Sequence, residues 1–163
     1  MKQSIAILLT LLLLSACSAP APDNQQQLQF YYCTVDSGFD ADSSAIRAES
    51  RECNSLTNVE EILTVYLAGP QSADLCSPFP AALHLVSVTT DAPAVSITLS
   101  RELSDLTKLD LTMACACIAM TVMALTGTET VHISAEDALL NGQQTITMNA
   151  ETLQLLDLAT EGQ

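Results

Sequence analysis

Tryptophan is absent from this chain of 163 residues, and three Phe and three Tyr are its whole aromatic complement. A ligand cleft rich in aromatic side chains cannot be built from so few. Basic residues are nearly as scarce, five Lys and Arg against 19 Asp and Glu. One of them, Lys2, lies at the start. After Cys17 only Arg47, Arg51, Arg101 and Lys108 stand against all 19 acids. A surface this acidic repels phosphate backbones and anionic headgroups, so nucleic acid is excluded as a partner. The charge serves to keep an exported domain soluble. Histidine occurs twice, at His84 and His132. Both are expected on strands, and neither falls in a metal-binding pair spaced by four on a helix. No Gly-x-Ser-x-Gly elbow is present to raise a nucleophilic serine. Both histidines are therefore read as packed or half-exposed side chains rather than catalytic ones.

The apolar run near the start is short. Ile5 to Ala16 is interrupted only by Thr10 and Ser15, and a membrane span needs about 20 apolar residues. Lys2, the apolar run and the small pair Ser15-Ala16 have the order of a secretory signal. Leu14-Ser15-Ala16-Cys17 resembles a bacterial lipoprotein cleavage box. That resemblance implies residues 1–16 as a lipoprotein signal peptide. It also implies a diacylglyceryl thioether on Cys17 and Cys17 as the mature N-terminus. Residues 17–27 are rich in Pro, Ala and Gln without periodicity, the composition of a disordered tether. Residues 28–160 fit one domain long enough to bury a core.

Within that domain the pattern alternates between strand and helix. Leu28 to Val35, with three aromatics, reads as a strand. Ala45 to Cys53 reads as its partner, with Arg47, Glu49 and Arg51 on one wet face. Asn58 followed by Glu61 forms a capping box. It opens a helix whose apolar stripe is Val59, Ile62, Leu63, Tyr66 and Leu67, closed by Gly69-Pro70. Strands follow at Leu83 to Thr89 and Val95 to Leu99 across the turn Asp91-Ala92-Pro93. Leu106 to Leu125 is a second helix. From Met113 to Leu125 only Thr121 is polar, so the helix is expected between the sheet and another layer. Strands at Glu129 to Ser134 and Thr145 to Met148 flank the turn Asn141-Gly142. Leu153, Leu155, Leu156 and Leu158 form a tail of undefined type. The order predicts an α+β fold, a mostly antiparallel sheet with two helices packed on one face.

The segment from Glu61 to about Met148 resembles the GerMN domain, named for sporulation and spore-germination proteins. The matching pieces begin with Leu67-Ala68-Gly69-Pro70, Leu75 to Pro80 and Leu83-His84-Leu85. They continue with Val95 to Ser100, Leu111-Thr112, Cys117 to Thr121 and Val131-His132-Ile133. Two turns depart from the family. Ala81-Ala82 stands where a glycine commonly follows the proline, and Asp91-Ala92-Pro93 lacks the hairpin glycine. The resemblance implies a non-catalytic extracytoplasmic domain, and a lipobox is a common companion of it. Some relatives are thought to help protein rings assemble in the sporulation envelope.

The other five cysteines carry no clear chemistry. Cys115 and Cys117 point roughly 200° apart on a helix, so they neither bond to each other nor grip one ion. Both are read as core. Cys33 and Cys53 lie symmetrically about Ser43, and an exported protein permits a disulfide between them worth about 3 kcal/mol. Cys76 would then lack a partner. Asp40 and Asp42 fail as a calcium loop, because the central glycine would fall on Ala45 and the terminal glutamate on Arg51. The pairs Glu60-Glu61 and Glu136-Asp137 diverge as neighbours in sequence and make no facing acid-base couple.

The sequence thus predicts a lipid-anchored interaction or assembly module on the extracytoplasmic side of the cell membrane, and no enzyme. It calls for no metal and no cofactor beyond the lipid on Cys17. Its expected partners are the membrane through that lipid, envelope or sporulation proteins, and copies of itself. A small-ligand-binding lipoprotein is the alternative, and an exported hydrolase has the least support.

Overall fold

The computed structural model describes residues 27–35, 45–53 and 58–154. The signal segment, Cys17, the tether, the acidic turn with Asp40 and Asp42, and the tail beyond residue 154 lie outside the described residues.

The described residues hold, in order, β1 (Gln27–Thr34), β2 (Ile46–Glu52), α1 (Val59–Leu67), β3 (Leu75–Cys76), β4 (Leu85–Asp91), β5 (Ala94–Leu99), α2 (Lys108–Thr126), β6 (Thr130–Ala135) and β7 (Ile146–Asn149), and residues 150–154 are helical as well. The fold is α+β, as the sequence predicts. The strands are divided between two sheets, β2-β1-β3 and β4-β5-β6-β7. All their pairings are antiparallel except β5 with β6. That parallel pair exists because α2 is the crossover between the two strands.

Local chemistry explains the helix ends. Asn58 Oδ1 accepts the Glu61 backbone N–H at 2.8 Å, which caps α1. Glu60 and Glu61 then sit in the first turn, where the helix dipole favours them. Thr107 caps α2 through Asp110, and Gly127 ends it in the left-handed conformation at φ 70°. Asn141 and Gly142 take φ 50° and 82° between the bridged residues Leu140 and Gln143, the tight turn their identities call for.

α2 has no wet face in its middle. Leu111, Ala114 to Ala119, Thr121 and Val122 are all buried. On one side it packs on β6 and β7, and on the other along β1. The second layer that the sequence demanded is therefore the small sheet. The inner face of the large sheet supplies Val95, Ile97, Leu99, Val131, Ile133 and Met148 to the same core. Its outer face carries Ser96, Thr98, His132, Ser134 and Thr147, which are exposed or half-buried. α1 covers part of β4. Although α2 is long and apolar enough to cross a membrane, half of its apolar stretch is buried inside the domain.

Two expectations change. β4 begins at Leu85, so His84 precedes the strand. The charged side of β2 is not uniformly wet either. Arg47 is exposed, whereas Arg51 is only 7% accessible.

Candidate functional site

Arg51 is buried because aromatic rings, a backbone carbonyl and a carboxylate receive it. Its guanidinium carbon lies 5.0 Å from the Phe30 ring centroid and 5.5 Å from that of Tyr32. It donates to the Gly69 carbonyl at 2.6 Å and to the Tyr32 hydroxyl at 3.2 Å. Glu49 pairs with it at 2.5 Å. The same carboxylate accepts the backbone N–H groups of Gln71 at 3.0 Å and Ser72 at 2.7 Å. This network ties β2 to the turn after α1 and so fixes the approach of β3. Arg47 pairs with Asp74 beside it. Tyr32, Tyr66 and Phe79 pack together within the network, tilted or edge-on, with centroids 5.0 to 6.5 Å apart. Tyr32 donates its hydroxyl to the Tyr66 carbonyl at 2.7 Å. Burial pushes the Tyr32 hydroxyl up to about 12, and the fully buried Tyr66 well above its ordinary value.

Beyond this anchored turn, an open cleft of about 590 Å³ runs between the end of the small sheet and the start of α2. Cys33 of β1, Cys76 and the following Ser77-Pro78-Phe79-Pro80 form one wall. Asp105, Leu106, Asp110 and Met113 form the other. Cys33 stands opposite Cys76 in the β1–β3 register. The Cys33 and Cys117 thiols share a hydrogen bond, which lowers the Cys33 pKa and, with burial, raises that of Cys117. Burial alone pushes the Cys115 thiol up to about 12, and partial burial raises that of Cys76.

The Cys33–Cys53 disulfide is corrected by the register. Cys33 faces Ile46, and Glu52 faces Gln27 at the far end of the hairpin. Cys53 follows Glu52, so about 20 Å of strand separates the two sulfurs, and both are free thiols. The hairpin axis falls between residues 39 and 40 rather than at Ser43. Cys115 and Cys117 are buried, as the helical spacing predicts. The structure adds the contact from Cys117 to Cys33, whose only hint in the sequence is the crowding of thiols on one helix.

The histidines are not brought together. His84 is exposed and packs its Nδ1 against the Ala82 carbonyl at 3.2 Å, while His132 Nδ1 meets Thr147 Oγ1 at 3.0 Å. The His84 backbone N–H donates to Ser100 Oγ, and His132 registers with Ser96, four residues earlier on β5. That spacing is about 13 Å. Among the described residues no three His, Cys, Asp or Glu side chains converge as metal ligands. Cys17 lies outside the described residues.

No protein-family model matches the chain, and no curated protein matches it. Solved structures do. The tandem GerMN domains of the sporulation protein GerM from Bacillus subtilis superpose with a TM-score of 0.56 at 15% identity, over 79% of this chain and 47% of that one. The first GerMN domain of the same protein gives 0.52 at 12% identity, over 72% of this chain and 91% of that domain. This chain therefore spans about half the length of the tandem structure. The fold is similar to that of the GerMN domains.

Proposed function

We propose that this protein is a lipid-anchored, extracytoplasmic, non-catalytic module of the cell envelope that works by binding other envelope proteins or copies of itself. The observation that carries this reading is a GerMN-like fold downstream of Leu14-Ser15-Ala16-Cys17, a stretch that resembles a lipobox. The resemblance to domains of a sporulation protein makes a sporulation or germination assembly the first place to look. The separated histidines fit a binding module better than a hydrolase.

Two measurements test the reading. Labelled palmitate is expected to be incorporated by the chain and lost in Cys17→Ala, with the protein moving from the membrane to the soluble fraction. Incorporation that survives the substitution refutes the anchor. Crosslinking in cells followed by capture then recovers envelope proteins or a self-linked dimer, and recovery of the free monomer alone refutes the assembly role.

The cleft supports a second reading, a lipoprotein that takes a small ligand. Its volume of about 590 Å³ is within the range of ligand pockets. Among the described residues Phe79 is the lone aromatic on its walls, and the mouth is open, which favours a weak ligand. A thermal-shift screen decides between the readings, since a saturable stabilisation abolished by Phe79→Ala supports the ligand.

A further inference from the structure

Two thiols from two strands line the cleft, and a third lies behind them in the core. Cys33 on β1 is the direct antiparallel partner of Cys76 on β3, and Cys117 on α2 reaches Cys33 with its thiol. Opposed residues of an antiparallel pair have Cα atoms about 4.5–5.5 Å apart and side chains on one face. A disulfide needs a Cα separation of about 4.4–6.8 Å. Cys33 and Cys76 meet that condition without moving the backbone. Access is graded as well: Cys76 is exposed, Cys33 is half-buried and lines the cleft, and Cys117 is fully buried.

We propose that Cys33 and Cys76 are a redox-active cross-strand pair that closes to a disulfide by exchange with an external disulfide entering at Cys76. The Cys76 thiolate attacks one sulfur of the external disulfide, forming a mixed disulfide and releasing one external thiolate. The Cys33 thiolate then attacks the Cys76 sulfur, forming the Cys33–Cys76 bond and releasing the second external thiolate. The protons leaving Cys33 and Cys76 are taken up by the two released thiolates. Two protein thiols are oxidised by two electrons, and the external disulfide is reduced by the same two.

The surroundings suit the second step. The hydrogen bond from Cys117 stabilises the Cys33 thiolate, and Cys117 itself stays protonated in the core. Cys117 cannot serve as the entry point, because it is 0% exposed. Closure joins the end of β3 to β1. The segment Ser77 to Pro80 hangs directly from Cys76, so oxidation pins one wall of the cleft. The pair works by the same chemistry whether or not the chain is lipidated.

The test uses the full-length chain carrying Cys17→Ala, solubilised in detergent, reduced and then exchanged with oxidised glutathione. Remaining thiols are alkylated before digestion with trypsin and a glutamate-specific protease. Cys53 and Cys76 share one tryptic fragment, but Glu60 and Glu61 lie between them and allow their separation. Linked peptides carrying Cys33 and Cys76 are expected, with Cys53, Cys115 and Cys117 alkylated. The melting temperature rises on oxidation and returns with dithiothreitol. Cys76→Ser, at an exposed site, loses both the link and the rise while keeping its far-ultraviolet spectrum. Alkylation of all five thiols after exchange, or a link from Cys33 to Cys117 or Cys53, overturns the proposal. Peptide mapping of the chain with Cys76 intact decides between these outcomes even if the serine variant misfolds.

Discussion

Thr121 Oγ1 accepts the backbone N–H of Tyr31 at 3.0 Å, so the lone hydroxyl in the apolar heart of α2 closes the open edge of β1. β3 pairs with β1 only at Cys33 and Thr34, which leaves Tyr31 without a strand on that side. Its carbonyl is satisfied by the Tyr66 hydroxyl at 2.8 Å. Two side chains from two helices thus replace the missing strand. A buried backbone N–H left unpaired costs about 1–3 kcal/mol. Thr121→Val keeps shape and volume but removes the acceptor, so it is expected to lower the melting temperature by several degrees. Thr121→Ser keeps the acceptor and should cost less. Equal losses in a calorimetric comparison would mean that packing, rather than the hydrogen bond, holds this edge.

Arg51 and Glu49 are 6% and 10% exposed at their side chains. Removing one member of such a pair leaves the other buried and uncompensated, at a cost of about 3–5 kcal/mol. Arg51→Ala is expected to lose that much in urea denaturation. The double variant Arg51→Met with Glu49→Gln is expected to recover part of it. Arg51→Lys should fail to rescue, because an ammonium cannot lie flat over two rings while reaching Gly69. A loss below about 1 kcal/mol for Arg51→Ala would show the network to be dispensable.

Alkaline pH should unfold the domain early. Tyr32 is pushed up to about 12 from an ordinary 10.0, chiefly by burial. The folded state therefore keeps its proton after the unfolded chain has released it. This contribution to stability is complete below pH 10 and is lost as pH rises from 10 through about 12. Tyr66 acts in the same direction, and Cys115, raised from 9.0 to about 12, begins to do so from pH 9. Urea midpoints measured from about pH 8 to about pH 11 should fall steadily once pH passes 10. A midpoint that holds level or rises over that range would contradict the burial of these groups.

Asn58 caps α1 with one 2.8 Å hydrogen bond to the Glu61 N–H. Asn58→Ala is expected to cost about 1 kcal/mol, and Asn58→Ser much less. α1 carries Tyr66 into the aromatic cluster, so tyrosine near-ultraviolet ellipticity should weaken along with stability. An alanine variant with unchanged midpoint and spectrum would place the start of α1 beyond the control of its cap.

Both helices and the Asn141-Gly142 turn are legible in the sequence because each is written in adjacent residues: a cap, a stripe, a glycine or asparagine at positive φ. The need of α2 for a second layer follows from its all-round apolarity, since one sheet face cannot cover a whole helix. The identity of that layer is not legible. It depends on β1 leaving the company of β4 to β7, a long-range choice that no local pattern encodes. Arg51 misleads for a related reason. Alternating charges read as a wet face, and only the rings of Phe30 and Tyr32 and the Gly69 carbonyl, distant in sequence, reveal a buried guanidinium. The Cys33–Cys53 pairing fails because the hairpin is not centred on Ser43; the ladder centres it three to four residues earlier. The cleft is equally hidden, because its walls come from the ends of β1, β3 and the turn before α2.

The enclosure of the middle of α2, from Ala114 to Ala119, between two sheets sets how the domain comes apart. A helix wetted on one face can stay docked on one sheet while another sheet melts. α2 has no such option, since losing either sheet exposes half of an apolar cylinder with scarcely a polar group to meet water. Neither layer is therefore expected to survive as a half-domain, and the two sheets and their shared helix should unfold as a single cooperative unit.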